Sequence, residues 1–167
     1  MHTQPIHHRL PDPVEQEEFY RDVPTKRAIA WIVDVLITAL LTALVVPFTL
    51  FTALFYLPFL YMLVGWIYRS ASMASGSATL GMRLTGLVVL DRDGDRLDAA
   101  TAVLHTTGYV ASMSFVIPQL VSVALMLTSA RRQGLSDMVL GTVALNRAAE
   151  FHEPARREGR DGAAGRA

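Results

Sequence analysis

The sequence predicts an all-α integral membrane helical bundle with a small cytosolic β-hairpin or sheet element. Three observations predict it. Between residues 28 and 68, Asp34 is the only Asp, Glu, Lys, Arg or His. That run is about 40 residues long, twice the roughly 20 that cross a bilayer as one helix. A second run, residues 99–130, is broken only by His105. Finally, basic residues flank every apolar run: Lys26 and Arg27, Arg69 and Arg83, Arg131 and Arg132. The positive-inside rule places all of them in the cytosol.

Composition removes several function classes. The 167 residues carry a formal net charge of zero, without the basic surplus that nucleic-acid binding requires. Cysteine is absent, which excludes disulfides, a thiol nucleophile and a Cys-ligated metal. No nucleophile–base pair, zinc pattern or complete phosphate loop is present, so neither an enzyme nor a cofactor is expected. In the 76–81 stretch Gly76 and Gly81 have phosphate-loop spacing, but Met82 and Arg83 follow in place of Lys and Ser/Thr. Asp91, Asp93 and Asp95 hint at a calcium loop, yet the glycine is misplaced and no Glu closes it. His7 and His8 are at most a weak metal hint, and no metal site is predicted.

The elements follow in order. Residues 1–25, interrupted by Pro5, Pro11, Pro13 and Pro24 and carrying Glu15, Glu17 and Glu18, read as a flexible cytosolic arm. No signal peptide precedes the first apolar segment, which is therefore expected to be a retained anchor. Spans are expected at about 28–46 and 53–69, with Pro58 kinking the second. Trp31 and Trp66, near the basic ends of these spans, suit an aromatic belt at the cytosolic interface. Residues 79–98 read as a cytosolic hairpin around the Asp93-Gly94 turn, and Asp98 is a good N-cap for the next helix. Residues 99–130 are too few for two crossings at about 20 each. Pro118 near their middle suggests two half-helices in a re-entrant or tilted hairpin; the competing reading is an interfacial helix followed by one crossing. Residues 131–147 close the membrane domain on the cytosolic side, and residues 84–90 and 142–145 are β-prone runs expected to pair. Residues 148–167 read as a disordered tail.

Asp34 raises the functional question, because a charge inside a membrane helix costs about 2.5–3.5 kcal/mol on insertion scales. Arg27 lies seven residues earlier, on the same face two turns away. Arg27, Trp31, Asp34, Thr38 and Thr42 form a polar seam, which in a membrane helix faces a bundle interior or a wet cavity. Arg27 and Asp34 are not expected to pair with each other. Arg27 snorkels to the interface, and Asp34 needs partners from another segment, with His105, Tyr61, Gln119 and water as candidates. Asp34 is either a structural acceptor or a proton- or cation-linked carboxylate. Asp137 either caps a short helical turn or reaches Arg27. His105 reads as a satisfied helix histidine. Ser114, Gln119, Ser122 and Thr128 are helix–helix hydrogen-bond formers worth about 0.6 kcal/mol each.

These features resemble the RDD family of bacterial membrane proteins, over residues from about 25 to 146. The family is named for one arginine and two aspartates; the arginine opens the first membrane helix and the first aspartate lies seven residues on. Arg27 and Asp34 in RAIAWIVD match this. TLGMRLTGLVVLDRDG, residues 79–94, is similar to a second family pattern, and RRQGLSDMVLGTVAL supplies Asp137, Gly141 and Thr142 in the matching places. Members often have His before the second aspartate; Ser136 stands there, so a proton role for that histidine is absent. The resemblance implies a multi-pass plasma (inner) membrane protein with a cytosolic N-terminus. Some members have been proposed as cation/proton antiporters.

Two function classes follow. One is cation/proton-linked transport of Na or H through the seam, with Arg27, Asp34, Asp137, Thr38 and His105 as the ion-coupling candidates. The other is a non-catalytic membrane interaction or assembly factor that docks a partner on the same seam. Expected partners are the lipid bilayer, a second copy or a membrane partner protein, and no nucleic acid.

Overall fold

The computed structural model describes residues 10–49 and 51–147. Residues 1–9 of the expected arm and the expected tail at 148–167 lie outside the described residues. Helix α1, Val23–Val45, is followed by 3-10 turns at Val46–Thr49 and Thr52–Tyr56 and then by α2, Leu57–Gly76. A short α3, Leu80–Leu84, leads into strand β1, Leu87–Leu90. Next come α4, Ala99–Met113, α5, Val116–Thr128, a short α6, Leu135–Leu140, and β2, Val143–Asn146.

Helix α1 is inverted relative to a helix of a water-soluble protein. Ala30, Asp34, Thr38 and Thr42, spaced by four, are buried, while Ile29, Ile32, Leu36, Leu40 and Leu44 are exposed. A helix facing water places its polar residues outside and its apolar stripe inside. Among the described residues, Glu17–Thr49 is the one helical stretch long and apolar enough to cross a membrane unbroken, its most apolar 18 residues having a mean hydropathy of 2.5.

The second expected span differs from the structure in extent. Residues 52–56 form a 3-10 turn, and α2 runs to Gly76, seven residues past the expected end at 69. Pro58 starts the helix in place of kinking it, because a first-turn residue needs no intrahelical acceptor for its N–H. Arg69 and the serines after it keep α2 below the apolarity of a free-standing span.

Helices α4 and α5 are each too short to cross a membrane and are long and apolar enough only as a pair, which is bent by 116°. The break lies at Ser114 and Phe115, with Pro118 in the first turn of α5, so the proline marks a helix start just after the bend. Asp98 caps α4 as expected, accepting the Thr101 N–H at 2.7 Å.

The expected pairing of the two β-prone runs is present. β1 and β2 are antiparallel, with Leu87 opposite Asn146 and Leu90 opposite Val143. Residues 79–98 are not a hairpin in themselves. They hold α3, β1 and a turn closed by a single antiparallel bridge between Leu90 and Arg96, while β1 makes its ladder with β2. Alternation along β1 sends Leu87 and Val89 into a core with Val23, Met73, Leu97, Ala102 and Ala144. Val88 faces the other side, with Val143, Leu145, Phe19 and Tyr20. Leu10, Phe19 and Tyr20 are thus packed on the sheet where a flexible arm was expected. Phe19 and Tyr20 gain apolar cover from the sheet, and the Tyr20 hydroxyl donates to the Pro11 carbonyl at 2.7 Å. Lys26 of α1 donates to the Asn146 side chain at the end of β2.

Candidate functional site

The polar face of α1 meets the rest of the chain at two carboxylate centres, and both open onto one cleft of about 730 Å³. At the first, Asp34 is buried. The Tyr68 hydroxyl donates to Oδ1 at 2.7 Å and the Gly81 N–H at 3.0 Å. The Thr79 hydroxyl donates to Oδ2 at 2.6 Å, and Arg69 Nη1 lies 3.4 Å from the same oxygen. The Arg69 guanidinium also lies over the Tyr109 ring, 4.4 Å from its centroid.

Local sequence explains this set. Ser77 ends α2 in a left-handed conformation, and Thr79 then caps α3 by accepting the Met82 N–H at 3.2 Å. A hydroxyl can donate and accept at once, so Thr79 starts α3 and holds Asp34 with the same oxygen. Gly81 must lack a side chain: a Cβ there would lie 2.2 Å from the Ala30 carbonyl oxygen and 2.9 Å from Asp34 Oδ1.

At the second centre, Asp137 is also buried. Arg27 Nη1 lies 2.6 Å from Oδ2, and the Gly134 N–H donates to that oxygen at 2.9 Å. His105 Nε2 is 2.8 Å from Oδ1, and the Thr142 hydroxyl donates to it at 3.1 Å. Burial alone would push this carboxyl up; the charge of Arg27 and the hydrogen bond from His105 outweigh it and hold the group well below the usual carboxylate range. An ionised carboxylate only accepts, so His105 carries its proton on Nε2. Asp137 thus combines both readings considered for it, closing the start of α6 through Gly134 and pairing with Arg27.

The expected candidates therefore sort differently from the prediction. Arg27 and Asp34 do not pair with each other, as anticipated. None of His105, Tyr61 and Gln119 touches Asp34: His105 serves Asp137, Tyr61 donates to the Val35 carbonyl at 3.4 Å, and Gln119 accepts from Ser112 at 3.3 Å. Thr38 and Thr42 spend their hydroxyls on their own helix, donating to the Asp34 and Thr38 carbonyls at 2.8 Å. Neither lines the cleft, so the far half of the seam is a packed helix face. There Thr38 meets Gly65 of α2, where a Cβ would come within 3.1 Å of its methyl group. Trp31 lines the cleft, whereas Trp66 donates to the Thr107 hydroxyl at 3.1 Å.

The sequence reading missed Tyr68 and Arg69. It passed over Thr79 and Gly81 while weighing a phosphate loop, although both lie in the stretch that carried the family pattern.

A model of the RDD family matches residues 22–141, most of the chain. The chain belongs to the RDD family. RDD is a membrane family, and this chain carries one helical stretch long and apolar enough to cross a membrane among its described residues; the arginine and two aspartates of the family pattern, Arg27, Asp34 and Asp137, all line the cleft. No curated protein and no solved structure matches it.

Proposed function

We propose that this RDD protein is a non-catalytic binding or assembly factor of the bacterial inner membrane, multi-pass with its N-terminus in the cytosol, and that the cleft beside α1 docks its partner. One observation carries the reading. Each carboxylate on the cleft accepts from four groups, two per oxygen, and each is paired with its own arginine. A carboxylate has about four lone-pair sites, so both are saturated. A cation entering either centre has to displace a guanidinium held in a buried pair, which is strongly unfavourable. The two centres fix the walls of the cleft and leave its apolar lining, with the polar atoms they do not engage, to meet a partner. The apolar exposed face of α1 and the bent α4–α5 pair fit a lipid setting on the outside.

Cation/proton-linked transport is the second reading, favoured by the presence of two acids and His105 on one cleft. Flux of Na and H in proteoliposomes of the purified full-length chain separates the two. The binding reading expects no flux above empty vesicles, with or without Asp34→Asn. A pH-dependent flux that Asp34→Asn abolishes overturns it.

A further inference from the structure

We propose that the cleft binds a single-chain amphiphile with a carboxylate head, a long-chain fatty acid, with Arg27 and Thr106 receiving the head. The inference deepens the binding reading above by naming the class of ligand. It starts from polar atoms that the two centres leave over. Arg27 gives only Nη1 to Asp137; its Nε and Nη2 are buried without a hydrogen-bond partner, as is the hydroxyl of Thr106. Both residues line the cleft. A buried donor without an acceptor carries its full desolvation cost, and guanidinium groups left so are uncommon. The Nε and Nη2 hydrogens form one edge of the planar guanidinium, the edge that matches the two oxygens of a carboxylate. Thr106 stands on α4, the helix whose His105 shares Asp137 with Arg27, and both donors line the same cleft.

The remaining lining describes the tail. Met73, Met82, Met113 and Met126 all face the cleft, with Trp31 and Leu127. Methionines are unbranched and adapt to flexible apolar chains. Met126 also packs beside the arginine, its sulfur 3.7 Å from Arg27 Nη1. A volume of about 730 Å³ lies within the range of sites for one small organic molecule, which suits one acyl chain better than the two of a phospholipid.

The test titrates the detergent-purified full-length chain with stearate and reads bound ligand by native mass spectrometry. Stearyl alcohol gives the same tail without the charge, and acetate gives the head without the tail. One stearate per chain is expected, with stearyl alcohol and acetate each at least about 10-fold weaker, as loss of a charge-assisted hydrogen bond predicts. Thr106→Val, which leaves both carboxylate centres intact, should weaken stearate several-fold without changing thermal unfolding. Arg27→Gln should weaken it further. Because Arg27→Gln may not fold, Thr106→Val and the alcohol comparison decide without it. Equal binding of stearate and stearyl alcohol, or unchanged stearate affinity in Thr106→Val, overturns the proposal. Failure of the underlying reading is separate. Stearate binding together with Asp34-dependent cation flux removes the binding-only function but keeps the site, whereas no stearate binding and no flux removes the ligand but keeps the binding factor.

Discussion

The two carboxylate centres each engage four groups, but those of Asp34 all lie 34–47 residues away in one stretch, whereas those of Asp137 range from 3 residues away at Gly134 to 110 at Arg27. All four partners of Asp34 lie between residues 68 and 81, at the end of α2 and the start of α3. Those of Asp137 come from α1, from α4 and from both flanks of its own short helix. The first centre therefore staples α1 to a single local unit. The second ties the closing segment to two helices formed much earlier in the chain. Their cations differ too: Arg69 keeps the face of Tyr109 if its carboxylate is lost, whereas Arg27 keeps only the thioether of Met126. The centres look alike but should fail differently.

The largest effect should come from Asp137→Ala, which leaves Arg27 buried without its counter-charge. Breaking a buried pair from one side costs about 3–5 kcal/mol. Denaturant unfolding of the purified chain should show that loss, and a variant within 1 kcal/mol of wild type would end the distinction. The same centre should respond to acid. The Asp137 carboxyl is held below its ordinary value, so its contribution is present above about pH 4 and is lost progressively as pH falls further. Unfolding curves between pH 7 and 5 should therefore owe no change to this group, with a decline only below about 4.

Asp34→Ala should be next, at about 2–3 kcal/mol, since four donors lose their acceptor but Arg69 retains Tyr109. If it proves costlier than Asp137→Ala, the ranking of local over distant centre is inverted. Gly81→Ala probes the same centre from its backbone side. A methyl group 2.2 Å from a carbonyl oxygen forces α3 away from α1, at about 1–3 kcal/mol. Hydrogen exchange at the Gly81 amide should then rise while the exchange of β2 does not. The smallest effect belongs to Thr38→Val. Its hydroxyl satisfies only its own helix, and the change should stay within about 1 kcal/mol. A larger loss would mean that the far half of the seam is more than a packed face.

How legible these centres were in the sequence depends on how each residue announces itself. Arg27, Asp34 and Asp137 were visible because charge stands out against an apolar run and their spacing fits a known pattern. The β1–β2 pairing was visible because both runs are β-prone and the charge pattern places them on one side. Arg69 was not. A basic residue at the end of an apolar run reads as an interface anchor, and nothing in its neighbours reveals that α2 continues for another two turns and turns the guanidinium inward. The partner of Asp34 could not be chosen correctly either. His105, Tyr61 and Gln119 are the conspicuous polar residues of the apolar runs, whereas Thr79 and the Gly81 amide become partners only once the chain folds back over α1. Pro58 was read as a kink but stands in the first turn of α2, because sequence alone does not say on which side of a proline the helix lies; at Pro118 the expected break between two half-helices is present, with the bend just before the proline.

The contact between Lys26 and Asn146 has a consequence for how the protein is made. The two residues are 120 positions apart, and the Arg27–Asp137 pair sits just inside them. At roughly 5–20 residues per second, a ribosome needs on the order of ten seconds to deliver the second partner after the first. Throughout that interval the emerging α1 holds an arginine whose counter-charge has not yet been synthesised, whereas Asp34 can meet Arg69 once that residue emerges, 35 positions after it. The nascent chain thus matures in two stages. Its first helix is anchored once residues 68–81 have emerged, and the Arg27–Asp137 pair closes only when residue 137 arrives, so a truncation before that residue would leave Arg27 without its counter-charge.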